Sequence, residues 1–301
     1  MVNVKELAKQ EEFMTGGTFA CSGCQPVYGL RLLQMALGKK VIIVNAAGCM
    51  TLTANHPYTC YNVPWLFNAI ENAASTATGI AKGLEVQGKK DITVVCYAGD
   101  GASYDIGMAS LSGAAHRNDN ILYICYNNFN FANTGHQVNS ATQEFARTNT
   151  TPIGKMNKLG NLLPRKNLAK IMALHNVPYV ATASTGYQHD FIDKVRKASK
   201  IKGFKFIDLL CACEPGWLVK THEMNKVSKL MVDTGMWPLY EIENRQVKVS
   251  LKPPMKPVED ALSLQGRYAH ITPPIMKKIQ EKVNKEWELI NSGKFWESEE
   301  Y

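Results

Sequence analysis

The chain has 301 residues, of which 45% are hydrophobic and 20% charged, with a formal net charge of +8. This length and composition allow one large α/β domain, or one domain with a small appendage, and exclude a disordered chain. No apolar run approaches the roughly 20 residues that span a bilayer, and the first six residues lack a signal pattern. We therefore expect a cytoplasmic protein without a membrane partner. The basic excess fits docking to an acidic protein, the interpretation we favour, or a merely solvated surface, and no module for binding nucleic acid accompanies it.

Short β-branched runs alternate with helix-like stretches along the chain, which is typical of a parallel sheet covered by helices on both faces. Each predicted strand is a nearly continuous apolar run, as expected for a strand buried on both faces. The predicted strands are Val41–Asn45, Ile92–Tyr97, Ile121–Tyr126, Tyr179–Ala183 and Phe204–Leu210. The predicted helices are Val27–Leu37, Leu66–Leu84, Ile106–His116, Asn167–His175, Asp190–Ser199 and Glu223–Thr234.

The character of the chain changes after about Trp237. Residues 239–251 are predicted to form a hairpin, and residues 273–289 a last helix, with three prolines between them that break regular structure. We therefore predict a main domain over residues 1–237 and an arm over residues 238–301 that contacts a partner chain.

A glycine-rich motif follows the second predicted strand. Gly99-Asp100-Gly101 lets the backbone turn sharply and places Asp100 at the carboxyl end of the strand, where ligands bind in open parallel sheets. The next strand ends in Asn127-Asn128. Two adjacent strand ends thus offer a carboxylate and a carboxamide, hard oxygen ligands suited to Mg²⁺ that bridges a diphosphate.

A dinucleotide-binding fold is the competing interpretation of this motif, since Gly99-Asp100-Gly101 resembles the start of G-x-G-x-x-G. The third glycine position holds Tyr104, however, and the second strand ends in asparagines rather than in a ribose-binding acid. Together with the paired asparagines, the motif resembles the thiamine-diphosphate fingerprint instead.

Eight cysteines in a cytosolic chain favour metal or cluster ligation over a disulfide framework, because that compartment keeps thiols reduced. Four thiolates at scattered positions can hold either tetrahedral zinc or a [4Fe–4S] cluster, and an electron acceptor beside a thiamine site is the chemically sensible choice. The candidate ligands are Cys21, Cys24, Cys49 and Cys213, with Cys211 as an alternative fourth ligand. Cys96 and Cys125 are predicted to be buried core residues, and the role of Cys60 is open.

These motifs together resemble the β subunits of pyruvate and related 2-oxoacid:ferredoxin oxidoreductases, over about residues 20–240. The further motifs that carry the resemblance are Gly48-Cys49, Val63-Pro64-Trp65, Glu71-Asn72-Ala73-Ala74, Asp105-Ile106-Gly107, Asn133-Thr134-Gly135, Thr151-Pro152-Ile153-Gly154-Lys155, Tyr179-Val180-Ala181-Thr182-Ala183 and Gly216-Trp217. The resemblance implies a doubly wound, mostly parallel α/β sheet of the thiamine-diphosphate-binding, pyrophosphate-type fold with a C-terminal arm.

The resemblance also assigns roles to individual residues. It implies one [4Fe–4S] cluster on Cys21, Cys24, Cys49 and Cys213, within the domain that ends at residue 237. It implies that Asp100, the Asn128 side chain and the Asn130 main-chain carbonyl bind Mg²⁺, that Gly48, Gly99 and Gly101 contact the cofactor, and that Asn133 faces the reacting carbon.

The implied activity is oxidative decarboxylation of pyruvate, or the reverse synthesis, with coenzyme A. The implied partners are an α subunit that carries the pyrimidine-side domain, γ and ferredoxin-like δ subunits or their equivalents, and ferredoxin. Gln25, Asn127 and His136 depart from the usual pattern of the family. His136 is close to the expected pocket, so the substrate could instead be another 2-oxoacid or oxalate. Equally, His136 could be a loop residue without a catalytic role.

Two other hypotheses remain at this point. A non-redox thiamine-diphosphate enzyme half with a structural zinc would be colourless. A non-catalytic electron-transfer subunit would keep the cluster and lack the cofactor.

Overall fold

The structure, a computed structural model, describes residues 11–55 and 57–297. Its strands are β1 Val41–Ala46, β2 Trp65–Asn68, β3 Thr93–Gly99, β4 Leu122–Asn127, β5 Tyr179–Ser184, β6 Lys205–Leu210, β7 Leu239–Glu243 and β8 Gln246–Leu251. They form one sheet in the order β2-β1-β3-β4-β6-β5-β7-β8. The pairs among β1 to β6 are parallel, whereas β7 pairs antiparallel with both β5 and β8.

Helices cover both faces of this sheet. They are α1 Gln25–Leu37, α2 Ala73–Val86, α3 Met108–His116, α4 Leu168–Leu174, α5 Gln188–Ser199, α6 Glu214–Trp217, α7 Met224–Asp233, α8 Val258–Leu262 and α9 Pro273–Asn291. Side chains of α1 and α5 pack in the core on one face, and side chains of the other helices pack in the core on the opposite face. The predicted doubly wound, mostly parallel architecture is therefore confirmed.

Local sequence signals explain where α1 begins and ends. Pro26 lies in its first turn, where a missing main-chain N–H costs nothing because no helical acceptor precedes it. Gly38 follows its last residue with φ of +71°, a conformation that glycine adopts without strain. These two signals fix the helix directly after Cys24.

The helix predicted over Leu66–Leu84 is wrong in its first part. Trp65–Asn68 form β2, which pairs in parallel with β1, and α2 begins only at Ala73. The Ile43 main-chain N–H donates to the Pro64 carbonyl at 3.0 Å, which fixes the start of this edge strand. The apolar residues of β2 run into those of α2 with few polar residues between them, so periodicity alone does not separate the two elements.

The segment after residue 237 contributes to the main sheet. The predicted hairpin is confirmed as β7 and β8, and β7 extends the sheet because Val180 pairs with Ile242. Helix α9 packs on the core, and the Trp287 indole N–H donates to the Gly235 carbonyl at 2.9 Å. The boundary at residue 237 and the contact of residues 238–301 with a partner chain stay predictions.

No helix in the described part of the chain has both the length and the apolar character needed to cross a membrane. The first six residues, in which we expected no signal pattern, and the last four residues of the predicted arm lie outside the described residues.

The turn between β5 and α5 packs closely against the main chain of α7. A Cβ at Gly186 would lie 2.5 Å from the Lys229 main-chain nitrogen, whereas a Cβ at Gly79 in α2 would have no neighbour within 4 Å. We expect Gly186→Ala to lower the free energy of unfolding by about 1–3 kcal/mol, because main-chain atoms must move. Gly79→Ala, the matched control, should raise it by up to about 1 kcal/mol. The measurement is the unfolding midpoint of each variant beside the wild-type chain, and equal midpoints for the two variants would contradict this packing.

Candidate functional site

The parallel register of β3 and β4 brings their carboxyl ends together. Gly99 pairs with Tyr126, so that Asp100 leaves β3 beside the asparagines that end and follow β4. The buried Asp100 carboxylate accepts a hydrogen bond from the Gly101 main-chain N–H at 3.1 Å and another from the Asn130 main-chain N–H at 2.9 Å. One carboxylate thus joins the loops that follow the two strands.

A cavity of about 40 Å³ opens beside this carboxylate. All the residues that the sequence suggested for the cofactor line it: Gly48, Gly99, Asp100, Gly101, Asn128, Asn130 and Asn133. The structure therefore brings these residues together from three separate stretches of the chain, and their individual roles stay predictions. This volume suits a metal ion and its nearest ligands, since sites for organic ligands usually measure about 300–1,000 Å³.

Aromatic rings lie against the backbone at two glycines of this site, closely at Gly101 and less closely at Gly99. A Cβ at Gly101 would lie 2.3 Å from the Phe131 ring, and a Cβ at Gly99 would lie 3.1 Å from the Tyr126 ring. Any larger residue at Gly101 would displace Phe131 and the loop that carries Asn130.

Among the described residues, no cationic side chain pairs with the oxygens that face the cavity. Burial raises the pKa of Asp100 to about 7, although the two main-chain N–H donors favour its ionised form. The Asn128 carboxamide oxygen is buried and has no hydrogen-bond partner among the described residues. A divalent cation would satisfy both groups, because it favours the ionised carboxylate and coordinates amide oxygen. The donor set therefore fits Mg²⁺.

Asn127 belongs to a buried network that sequence reasoning missed. Its side-chain NH₂ donates to the Tyr104 hydroxyl at 2.9 Å and to Asp208 at 3.2 Å, and the Tyr104 hydroxyl donates to the other Asp208 oxygen. The Asn127 carboxamide oxygen accepts from the Phe129 main-chain N–H at 3.2 Å, which shapes the loop of Asn128 and Asn130. The amide at position 127 is thereby explained, because an aspartate would place a second carboxylate against Asp208.

All four predicted cluster ligands lie within electrostatic reach of one another. Burial raises the pKa of Cys49 well above its usual range, and Cys213, Cys24 and Cys21 raise it further. Burial also raises the pKa of Cys213 to about 12 and that of Cys24 to about 11, with additional contributions from the neighbouring cysteines. Asp100 acts on Cys49 and Cys213 as well, so the cysteines and the cavity are neighbours.

Cys211 also lies within electrostatic reach of Cys24 and Asp100, so burial and position in the fold distinguish the other cysteines from this group. Cys96 and Cys125 are fully buried in strands, as predicted, and Cys60 is also buried. Cys211 is fully buried in the core that contains α1 and α5, whereas Cys213 begins the turn into α6 and is partly exposed. This arrangement favours Cys213 over Cys211 as the fourth member.

Among the described residues, no three His, Cys, Asp or Glu side chains are grouped closely enough to hold a single metal ion. Four thiolates at about 2.3 Å from one zinc ion would lie within about 4 Å of one another. The four cysteines are therefore near one another without forming a tight mononuclear site.

His136 lies beside Asn130 of the cavity and near Cys213. Its Nδ1 is 3.4 Å from the Asn130 side-chain oxygen. A Cβ at Gly216 would lie 2.7 Å from Asn130 Nδ2, 3.0 Å from His136 Nδ1 and 3.1 Å from Cys213 Sγ. Gly216 thus allows these three side chains to converge.

The fold and the residues at its strand ends define a thiamine-diphosphate-binding domain. Residues 46–209 match the family of the C-terminal TPP-binding domain of thiamine pyrophosphate enzymes. The chain also resembles the solved structure of 2-oxoglutarate:ferredoxin oxidoreductase from Magnetococcus marinus, with a TM-score of 0.58 and 20% identity over 69% of each chain. At that identity the structural likeness shows the fold alone.

Two relatives are similar along nearly the whole chain. Pyruvate synthase subunit PorB of Methanothermobacter marburgensis is 43% identical over 91% of this chain and 96% of the relative. Ketoisovalerate oxidoreductase subunit VorB of Pyrococcus abyssi is 39% identical over 93% of each. The chain belongs to the family of 2-oxoacid:ferredoxin oxidoreductase β subunits. It is thus a subunit of an oxidoreductase, as its sequence motifs suggested.

The Asn127 network gives a testable consequence. We expect Asn127→Asp to lower the free energy of unfolding at pH 8 by about 2–4 kcal/mol, because two buried carboxylates would then be in contact. The shared carboxyls would bind a proton in the folded state that the unfolded chain does not bind, so the deficit should shrink as the pH falls toward 6. The measurement is urea denaturation at both pH values.

The double variant Asn127→Asp/Asp208→Asn is the matched control, since it restores one amide and one carboxylate. It should recover most of the lost stability. An equal deficit at both pH values, without recovery in the double variant, would show that the two side chains do not repel each other.

Proposed function

We propose that this chain acts on pyruvate with thiamine diphosphate, Mg²⁺ and one [4Fe–4S] cluster, and that it transfers the acyl group to coenzyme A. The observation that carries the proposal is the convergence of Asp100, Asn128, Asn130 and Asn133 on one cavity beside four neighbouring cysteines. Pyruvate is favoured because several relatives at 36–43% identity are named pyruvate synthase subunits.

Mg²⁺ would be held by the Asp100 carboxylate, the Asn128 carboxamide oxygen and the Asn130 main-chain carbonyl. The buried Asn128 oxygen without a partner supports this set, since a buried polar atom without a hydrogen bond is costly unless a ligand satisfies it. When bound, thiamine diphosphate supplies the carbanion chemistry of decarboxylation. Gly48 and Gly99 let it approach the backbone, and Asn133 lies at the rim of the cavity, where its amide can orient the substrate carbonyl.

A [4Fe–4S] cluster suits the four cysteines better than zinc does. A cubane core is wider than one ion, so its thiolates stand farther apart than those of a tetrahedral zinc site. The cysteines are mutually close yet form no tight group, which supports the larger core. The Val27 and Gly216 main-chain N–H groups donate to the sulfurs of Cys24 and Cys213 and would stabilise their thiolates.

The chain requires partners for this activity. The relatives are named as single subunits of pyruvate synthase, so we assign the pyrimidine side of the cofactor site to another chain, an α subunit. Cys21 is exposed, so electrons can leave the cluster there toward a ferredoxin-like δ subunit and then ferredoxin. A γ subunit or its equivalent completes the proposed complex.

Single substitutions should separate the two proposed sites. We expect Asp100→Ala to weaken Mg²⁺-thiamine-diphosphate binding by at least about 100-fold and to leave the iron content unchanged. Loss of a residue that only supports a metal ligand already costs up to about 100-fold, and loss of a direct ligand should cost at least as much. Cys49→Ser should lose the cluster and keep the cofactor. The measurements are iron content, the visible spectrum and calorimetric cofactor binding, after anaerobic purification with the chains that co-purify.

Cys211→Ser is the matched control for Cys213→Ser. Iron should be retained in the first variant and lost in the second. If Asp100→Ala and Cys49→Ser each abolished both cofactor binding and iron content, the two sites would not be separable. A colourless wild-type protein with stoichiometric zinc would refute the proposed cluster.

2-Oxoisovalerate is a second candidate substrate, because His136 lies near the cavity and one relative is named for ketoisovalerate. The imidazole is half-buried beside Asn130, which lines the cavity, so its loss would leave more room next to that lining residue. We expect His136→Ala to raise kcat/KM for 2-oxoisovalerate relative to pyruvate by about 10-fold, within the range that a small change in side-chain volume produces. The measurement is bleaching of the cluster by each 2-oxoacid with coenzyme A, and His222→Ala, an exposed histidine, is the control. Equal losses for both substrates would mean that His136 does not select between them.

A further inference from the structure

A buried arginine lies behind the candidate site and has no acidic partner in the part of the chain that the structure describes. Arg267 is 1% exposed and follows α8. Its guanidinium donates to the Gln265 side-chain oxygen at 2.7 and 3.0 Å and to the Gln143 side-chain oxygen at 3.3 Å. No ion pair of the described residues includes it. A buried charge held only by neutral groups is costly, which indicates that a negative charge elsewhere compensates it.

The guanidinium lies against the aromatic wall of the site. Its Cζ is 4.1 Å from the centre of the Trp217 ring and 5.5 Å from that of Phe129, which stacks on Trp217. The Trp217 main-chain N–H donates to the Cys213 carbonyl at 2.8 Å, and its indole N–H donates to the Asn128 carbonyl at 2.7 Å. Arg267 thus packs on the side chain of the residue that closes the turn carrying Cys213.

Arg267 remains charged at neutral pH. Burial lowers its pKa to about 10, while Tyr268 and Cys213 favour the charged form. Tyr268 is a phenol whose own pKa burial raises, so it is neutral under the same conditions. Of these two neighbours, only Cys213 can supply a negative charge, and it does so when it binds iron as a thiolate.

We propose that Arg267 is the electrostatic counterpart of the four-cysteine site and raises the reduction potential of the [4Fe–4S] cluster bound there. This inference rests on the proposed function. A cluster held by four thiolates is negative and gains one more negative charge on reduction, so a nearby cation in a water-poor environment stabilises the reduced state more than the oxidised state. Arg267 would therefore set how readily the cluster accepts an electron.

The test is a potentiometric titration of the cluster in the anaerobically purified complex. The signal of this chain's cluster is obtained by subtraction of the Cys49→Ser complex, which retains the clusters of other subunits. Arg267→Gln removes the charge. Gln265→Glu keeps the arginine and neutralises it in place, because the Gln265 oxygen already accepts two of its hydrogen bonds. We expect both variants to reduce the reduced-to-oxidised ratio at a fixed solution potential by about 10-fold, which corresponds to about 59 mV for one electron.

Two further variants serve as controls. Arg267→Lys keeps the charge and should recover most of the wild-type ratio. Lys205→Met removes another buried cation, at the start of β6 and so at the opposite end of the sheet, and should leave the ratio unchanged.

The possible outcomes are distinct. A wild-type ratio in iron-loaded Arg267→Gln or Gln265→Glu overturns the inference, and Gln265→Glu decides the matter alone if Arg267→Gln does not fold. Weaker Mg²⁺-thiamine-diphosphate binding at an unchanged ratio also overturns it, because the cation would then serve the cofactor diphosphate. A wild-type protein without iron refutes the proposed cluster itself and is recognised before any variant is made.

Discussion

The Asp100 carboxylate accepts hydrogen bonds from the main chain on both sides of the candidate site, from Gly101 after β3 and from Asn130 after β4. These bonds form only because Gly99 pairs with Tyr126, which aligns the two strand ends. A shift of one residue in that register would turn Asp100 to the other face of the sheet. The cavity and the loop with Asn128 depend on this alignment, and the parallel pairing of β1 with β3 places Cys49 beside them.

Trp217 connects the cofactor half of the site to the cysteine half. Its indole N–H donates to the Asn128 carbonyl, its main-chain N–H donates to the Cys213 carbonyl, and its ring packs against both Phe129 and Arg267. A rigid aromatic wall of this kind excludes water and lowers the local dielectric constant, so charges on either side of it influence each other strongly. The proposed electron transfer would need this proximity, since an acceptor at the cysteines would have to lie near the carbon that is oxidised.

The sequence allowed prediction of those features that depend on local patterns. The apolar strands and the polar residues at their ends predicted the sheet and the position of Asp100, since ligands gather at the carboxyl ends of parallel strands. The edge strand β2 was missed because its apolar residues merge with those of α2. The departure at Asn127 was visible, but its cause was not, because Asp208 is 81 residues away in the chain. Arg267 contacts Gln143 from 124 residues away, and no short motif marks such a pair.

The charges of the site show why its parts depend on one another. In the polypeptide alone, burial raises the pKa of Asp100 and of Cys24, Cys49 and Cys213, so the chain by itself favours protonated ligands. Metal ions bind only the deprotonated forms, so loading of each site releases protons and replaces an electrostatic cost with coordinate bonds. Asp100 acts on Cys49 and Cys213, so a cation at the carboxylate reduces the negative charge that the thiolates experience. A cation taken alone at the proposed Mg²⁺ site would therefore favour ionisation of the cysteines, and by linkage an occupied cysteine site, whose net charge would be negative, would favour the cation.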